Sequence, residues 1–171
     1  MATEKAVKVI QRYIDDAIAA EKAFEAQLRA FAEEGSSEQV RHLFFQHAEE
    51  TRRQYERLTT RLHELGGQPS AAKSLLAQLF VFTPKIAQIG HDIVDRVTQN
   101  LMVAYSVECF EVAMYEALVA VAEAAGDEDT ARLARDIQEE ERETASNVWH
   151  LITPWAHTSF NKLAAVEPLA V

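Results

Sequence analysis

The chain has 171 residues, 48% of them hydrophobic, and its 17 Lys and Arg against 27 Asp and Glu leave a net charge of −10. That length supports one domain with its own core, while the acidic balance argues against a phosphate-tracking surface, so no nucleic-acid partner is expected. Only five Gly and four Pro punctuate the chain, too few for an all-β protein, and its single cysteine, Cys109, excludes an internal disulfide and a cysteine-based zinc site.

The periodicity is helical throughout, with no strand-like alternation. The segment from Met1 to Lys8 mixes Glu4 with Lys5 and Lys8 and carries no apolar signal core. Charge-free stretches such as Ser74–Pro84 reach about half of the ~20 residues a membrane span needs. A cytoplasmic protein with no membrane partner is expected. Helix 1 places Ile10, Ile14, Ala17, Phe24, Leu28 and Phe31 on one face and stops at Gly35. Ser36-Ser37 caps helix 2, which carries Val40, Leu43, Leu58, Leu62 and Leu65 and ends at Gly66-Gly67. A short apolar helix, Leu75–Phe82, follows. Thr83-Pro84 then starts helix 3, which runs through Val94, Val97, Leu101, Ala104, Leu118 and Val121 to Gly126. Helix 4 carries Leu133, Ile137, Val148 and Leu151 and is expected to end at Pro154, dividing the chain into a bundle, residues 1–153, and a C-terminal tail, residues 154–171. Tight turns make helices 1 and 2, and helices 3 and 4, antiparallel hairpins. The longer link between helices 2 and 3 suits a crossover that leaves those two parallel. The fold class is therefore all-α: an antiparallel four-helix bundle with a crossover segment, containing a short helix, between helices 2 and 3.

The two hairpins resemble each other. At an offset of 90 residues, 11 of the 32 positions from Glu21 to Arg52 are identical without a gap, which points to a duplicated hairpin. Among the matched residues are Glu21 with Glu111, Leu28 with Leu118, Leu43 with Leu133, and Glu50 with Glu140.

Several acids lie where a core residue belongs. Glu21 sits one heptad after Ile14 and one before Leu28, and Glu111 sits in the same way between Ala104 and Leu118. Glu50 and Glu140 follow Leu43 and Leu133 by one heptad; within Glu139–Glu141 only Glu140 is assigned to this face. The acids of each hairpin are 29 residues apart, so all four are expected to meet near the bundle midpoint. A buried ionised carboxylate costs several kcal/mol unless it is paired. Four of them are neutralised by two divalent cations, and oxygen donors suit iron, manganese or magnesium better than zinc or copper. His47, Glu108 and Glu143 each lie one turn from a core acid and complete the candidate metal set of Glu21, His47, Glu50, Glu108, Glu111, Glu140 and Glu143. Glu50 and Glu140 are the bridging candidates, with Glu21 and Glu111 as terminal ligands and no catalytic residue beyond the ligands. Gln54 is read as a supporting or solvated group, and Tyr13, Tyr105 and Tyr115 as packing residues before any radical role.

The stretches Tyr13–Lys22, Gln46–Gln54 with Arg57-Leu58, Glu108–Tyr115 and Glu139-Glu140 resemble the YciE/YciF family of ferritin-like proteins, over about Tyr13 to Leu151. The resemblance implies a ferritin-like bundle with a dimetal carboxylate site, often dimeric and linked to bacterial stress responses. Glu21, Glu50, Glu111 and Glu140 match the family's motif acids, as do His47 and Glu108. Cys109 departs from the family, which usually has a histidine there.

The expected function is that of a ferritin-like protein holding two divalent ions, iron or manganese, that oxidises Fe(II) or consumes peroxide in the bacterial stress response. A homodimer is the expected assembly. The alternative is a metal-free helical scaffold or partner-binding stress protein without catalysis, its acids protonated or paired with Arg53, Arg57 and Arg61.

Overall fold

The protein, seen here as a computed structural model, is described for residues 3–34, 37–71 and 94–164. Four helices account for nearly all of them: α1 (Glu4–Glu34), α2 (Glu38–Glu64), α3 (Arg96–Ala125) and α4 (Glu128–Ala164). No strand occurs among the described residues. The short crossover helix and the helix start at Thr83-Pro84, both expected from sequence, lie outside them, whereas Val94, expected inside the third helix, is in the turn that precedes Arg96.

The helix ends follow local chemistry. Ser37 caps α2 by accepting from the Val40 amide at 3.2 Å. Asp127 does the same for α4, accepting from the Thr130 amide at 3.1 Å and the Thr130 hydroxyl at 2.7 Å. Gly126 ends α3 in the left-handed region at φ 71°, and the next amide, of Asp127, returns to Ala122 O at 2.9 Å. A side chain at that φ is strained, which is why glycine holds the turn.

Helix α4 runs through Pro154 to Ala164 rather than stopping there. Proline removes one amide donor and costs about 3 kcal/mol inside a helix, but Pro154 and His150, whose carbonyl loses its donor, are both solvent-exposed. Beyond the proline, the Ser159 hydroxyl donates to Val94 O at 3.0 Å and lies 3.1 Å from Thr98 Oγ1. These bonds tie the end of α4 to the start of α3.

Helix directions can be read from bonds between helices. Tyr115 bonds Glu21 and Asn100 bonds Glu34, so α3 descends as α1 rises. Arg57 bonds Glu140 and Arg61 bonds Asp127, so α4 runs against α2. Each hairpin is antiparallel, and α2 is consequently parallel to α3. The hairpins pack tightly within themselves and across α1–α3, whereas the α2–α4 seam is sparse.

The apolar core is split in two. Ile10, Ile14, Leu58, Leu62, Leu118 and Ile137 lie in one cluster. Phe24, Leu28, Phe31, Phe44, Leu101 and Val148 lie in the other. Each large side chain buried in this way contributes about 1.5–3 kcal/mol. Between the clusters sits a polar layer that includes Glu21, His47, Thr51, Glu108, Glu111 and Glu141, all buried. Burial repeats at the 90-residue offset: Ile14 with Ala104, Glu21 with Glu111, Leu28 with Leu118, His47 with Ile137, Thr51 with Glu141, and Leu58 with Val148 are buried pairs.

Candidate metal centre

Glu21 and Glu111 occupy the buried face expected of them, at 0% and 1% exposure. Glu50 and Glu140 do not: both are exposed, and the buried residues of α2 and α4 at that height are Thr51 and Glu141. The reason is the same on both helices. Leu43 and Leu133, from which the heptads were counted, are only half-buried at the edge of the face. The face itself runs through Phe44, Thr51 and Leu58 on α2, and through Ala134, Glu141 and Val148 on α4. The missed residue is Glu141, one heptad before Val148.

Five side chains from all four helices meet in the polar layer: Glu21 on α1, His47 on α2, Glu108 and Glu111 on α3, and Glu141 on α4. They form two triads, His47–Glu108–Glu141 and Glu21–Glu111–Glu141, within each of which the candidate ligand atoms lie within 4.8 Å of one another. Glu141 belongs to both. The three-residue step from Glu108 to Glu111 puts both acids on one face of α3. His47 Nε2 is 2.7 Å from Glu108 Oε1, and the His47 ring meets the Phe24 ring edge-on at 5.4 Å.

The donors suit a metal. Glu21 Oε2, Glu111 Oε1, Glu141 Oε1 and both oxygens of Glu108 are buried, and apart from the approach of His47 to Glu108 Oε1 and that of the Glu108 and Glu141 carboxyls to each other, no side chain satisfies them. Such oxygens are costly unless something fills them. The arginines do not: Arg57 bonds Glu140 at 2.7 and 3.2 Å, and Arg61 bonds Asp127 at 2.6 Å and Glu64 at 2.8 Å. Arg53 is exposed. Four carboxylates and one imidazole would hold two divalent ions, with His47 and Glu108 on one, Glu21 and Glu111 on the other, and Glu141 between them.

In the absence of cations, burial sets the protonation. It pushes Glu108 up to about 8, with the charges of Glu21 and Glu50 adding to the effect and a hydrogen bond with Glu141 opposing it. Burial pushes Glu141 up to about 11, helped by the bond to Glu108 and that neighbour's charge. Glu21 and Glu111 stand well above the usual carboxylate range for the same primary reason. Burial moves His47 the other way, down to about 4, so its ring is neutral and free to ligate.

The remaining candidate residues lie at the surface above this layer. Glu50, Glu140 and Glu143 line a cleft of about 630 Å³ along the α2–α4 seam, together with Arg53, Arg57 and Thr144. Gln54, buried at its floor, donates to Glu140 Oε2 at 3.2 Å. Glu50 and Glu140 act on the centre through their charge, Glu50 on Glu108 and Glu141, and Glu140 on Glu21 and Glu141. Tyr115, fully buried, donates its hydroxyl to Glu21 Oε1.

A family model described as a domain of unknown function, DUF892, matches residues 8–160. A comparison with curated protein sequences finds no match. Among solved structures, the E. coli stress protein YciF is 24% identical with a TM-score of 0.78, covering 91% of this chain and 99% of its own. A protein from Xanthomonas campestris pv. campestris is also 24% identical, at a TM-score of 0.77 over 94% of this chain and 99% of its own. The DPS protein of Vibrio cholerae, described as a member of a superfamily of ferritin-like diiron-carboxylate proteins, is 16% identical at a TM-score of 0.70, over 89% of this chain and 98% of its own. The fold is a ferritin-like helical bundle. No described helix is long and apolar enough to cross a membrane.

Proposed function

The chain belongs to the DUF892 family, and from that premise we propose that it is a dimetal-carboxylate protein. It holds two divalent ions, iron or manganese, in the buried acid layer and uses them to oxidise Fe(II) or to consume peroxide in a cytoplasmic stress response. The observation that carries this reading is the pair of buried triads sharing Glu141, in which each of the four acids has a buried oxygen that no side chain outside the triads satisfies. The diiron-carboxylate description of the Vibrio cholerae neighbour and the stress assignment of E. coli YciF support it by analogy. The role of bridging ligand passes from Glu50 and Glu140 to Glu141. Glu50, Glu140 and Glu143 become the acidic mouth through which a hydrated cation approaches.

When bound, the metal pair supplies the electron-transfer chemistry. The protein's own part is to fix the ligands on four helices, to keep His47 neutral, and to bury the pair between two apolar clusters that exclude water. The chain is further proposed to act as a homodimer.

The test is elemental analysis after anaerobic loading with Fe(II) or Mn(II). Two metals per chain are expected in the wild type and fewer than one in Glu141→Ala, with helical content retained in both. A wild type that stays empty under every loading condition overturns the proposal and leaves a scaffold whose acids are kept neutral by protons.

A further inference from the structure

The triad Glu21–Glu111–Glu141 has no nitrogen donor, and a site built only of carboxylate oxygens invites calcium, which takes six to eight oxygens and readily uses both oxygens of one carboxylate. One feature of the layer works against that. Tyr115 is fully buried and donates its hydroxyl to Glu21 Oε1, while Glu21 Oε2 is left buried and without a partner. Glu21 therefore has one oxygen engaged and one to give. Tyr115 lies four residues after Glu111, on the same face of α3, so the turn that delivers the ligand also delivers the hydroxyl. The arrangement is one-sided. Glu25 takes the equivalent place in the first hairpin and is bonded to Arg29 at 2.8 Å, and Glu111, the counterpart of Glu21, keeps Oε1 without a partner.

We propose that Tyr115 is a positioning residue that sets the cation preference of the centre: by orienting Glu21 and occupying one lone pair of its Oε1 it disfavours the two-oxygen binding mode and so selects against calcium. The smaller transition-metal ions need fewer and shorter bonds and lose little by a one-oxygen ligand. This inference rests on the dimetal reading above.

The experiment is competition between Ca²⁺ and Mn²⁺ for the metal-free protein, read from the free Mn²⁺ paramagnetic resonance signal. It compares the wild type with Tyr115→Phe, and with Tyr105→Phe as a control away from the centre; circular dichroism verifies the fold of each. In Tyr115→Phe the preference for Mn²⁺ over Ca²⁺ is expected to fall about tenfold, with Mn²⁺ still bound and the control unchanged. A preference unchanged within about twofold, or a parallel loss of both cations, overturns the role given to Tyr115 while leaving the dimetal reading in place. A wild type that binds neither cation overturns both.

Discussion

At residue scale, the chemistry turns on side chains whose burial and charge are in conflict. Glu141 shares its carboxyl between two triads, so Glu141→Gln, which keeps the shape and removes the charge, is expected to lower Mn²⁺ affinity at least about 100-fold, whereas Glu143→Gln at the mouth should change it by no more than a few-fold. Titration calorimetry separates the two. Without metal, the same acids make stability depend on pH. A carboxyl whose value is raised in the fold contributes stability that is complete below its unfolded value and is lost as pH rises through the folded one. For Glu108 that window runs from 4.5 to about 8, and for Glu141 it extends to about 11. His47, lowered to about 4, has the opposite sign: its contribution is complete above 6.5 and is lost as pH falls toward 4. Between pH 6.5 and 8 only the acids act, so the melting temperature of the chelator-treated protein should fall with pH, at up to about 1.4 kcal/mol per pH unit for each titrating carboxyl. With Mn²⁺ present that slope should flatten, because the cation displaces those protons and leaves the acids deprotonated in the folded state as in the unfolded one.

At element scale, much of the architecture was legible in the sequence because the signals were local. Ser37, Gly66 and Gly126 punctuate the helices where the structure starts or ends them, and Ile14, Leu28, Ala104 and Leu118 correctly framed Glu21 and Glu111. On α2 and α4 the leucine that set the frame was the wrong anchor. Leu43 and Leu133 lie at the edge, beside the buried Phe44 on α2 and the small buried Ala131 and Ala134 on α4. Small residues let helices approach closely but contribute little to a hydrophobic pattern, so the frame slipped by one residue and put Glu140 in the place of Glu141. The stop expected at Pro154 failed for another reason. The proline's cost is local, and contacts 60 residues or more away in sequence, from Ser159 to Val94 and Thr98, hold the helix beyond it. Asp127 offers the corresponding test at the other end of α4. It accepts from the Thr130 amide and hydroxyl and from Arg61, and Asp127→Ala is expected to cost about 1–2 kcal/mol in chemical denaturation without altering the number of metals bound.

At the scale of the whole molecule, the two hairpins differ most on their outer surfaces. Met102, Phe110, Trp149 and Phe160 are exposed on α3 and α4, and the positions 90 residues earlier are Arg12, Ala20, Thr59 and Ser70. Phe45 on α2 is the one large exposed apolar residue of the first hairpin among the described residues, so a self-associating surface is to be sought first on the second. Sedimentation should give about twice the chain mass of 19.2 kDa, and Phe110→Glu with Trp149→Glu should return the single-chain mass with the metal count unchanged.

The buried pairs at the 90-residue offset carry one more consequence. Thr51 answers Glu141, and Ile137 answers His47, so the halves differ within the polar layer. Two copies of the first hairpin would supply imidazoles with no acid to lie between the metals. Two copies of the second would crowd six carboxyls together without a nitrogen. Neither hairpin can supply the five side chains of the layer by pairing with a copy of itself, so the repeat is a division of labour in which each half brings what the other lacks.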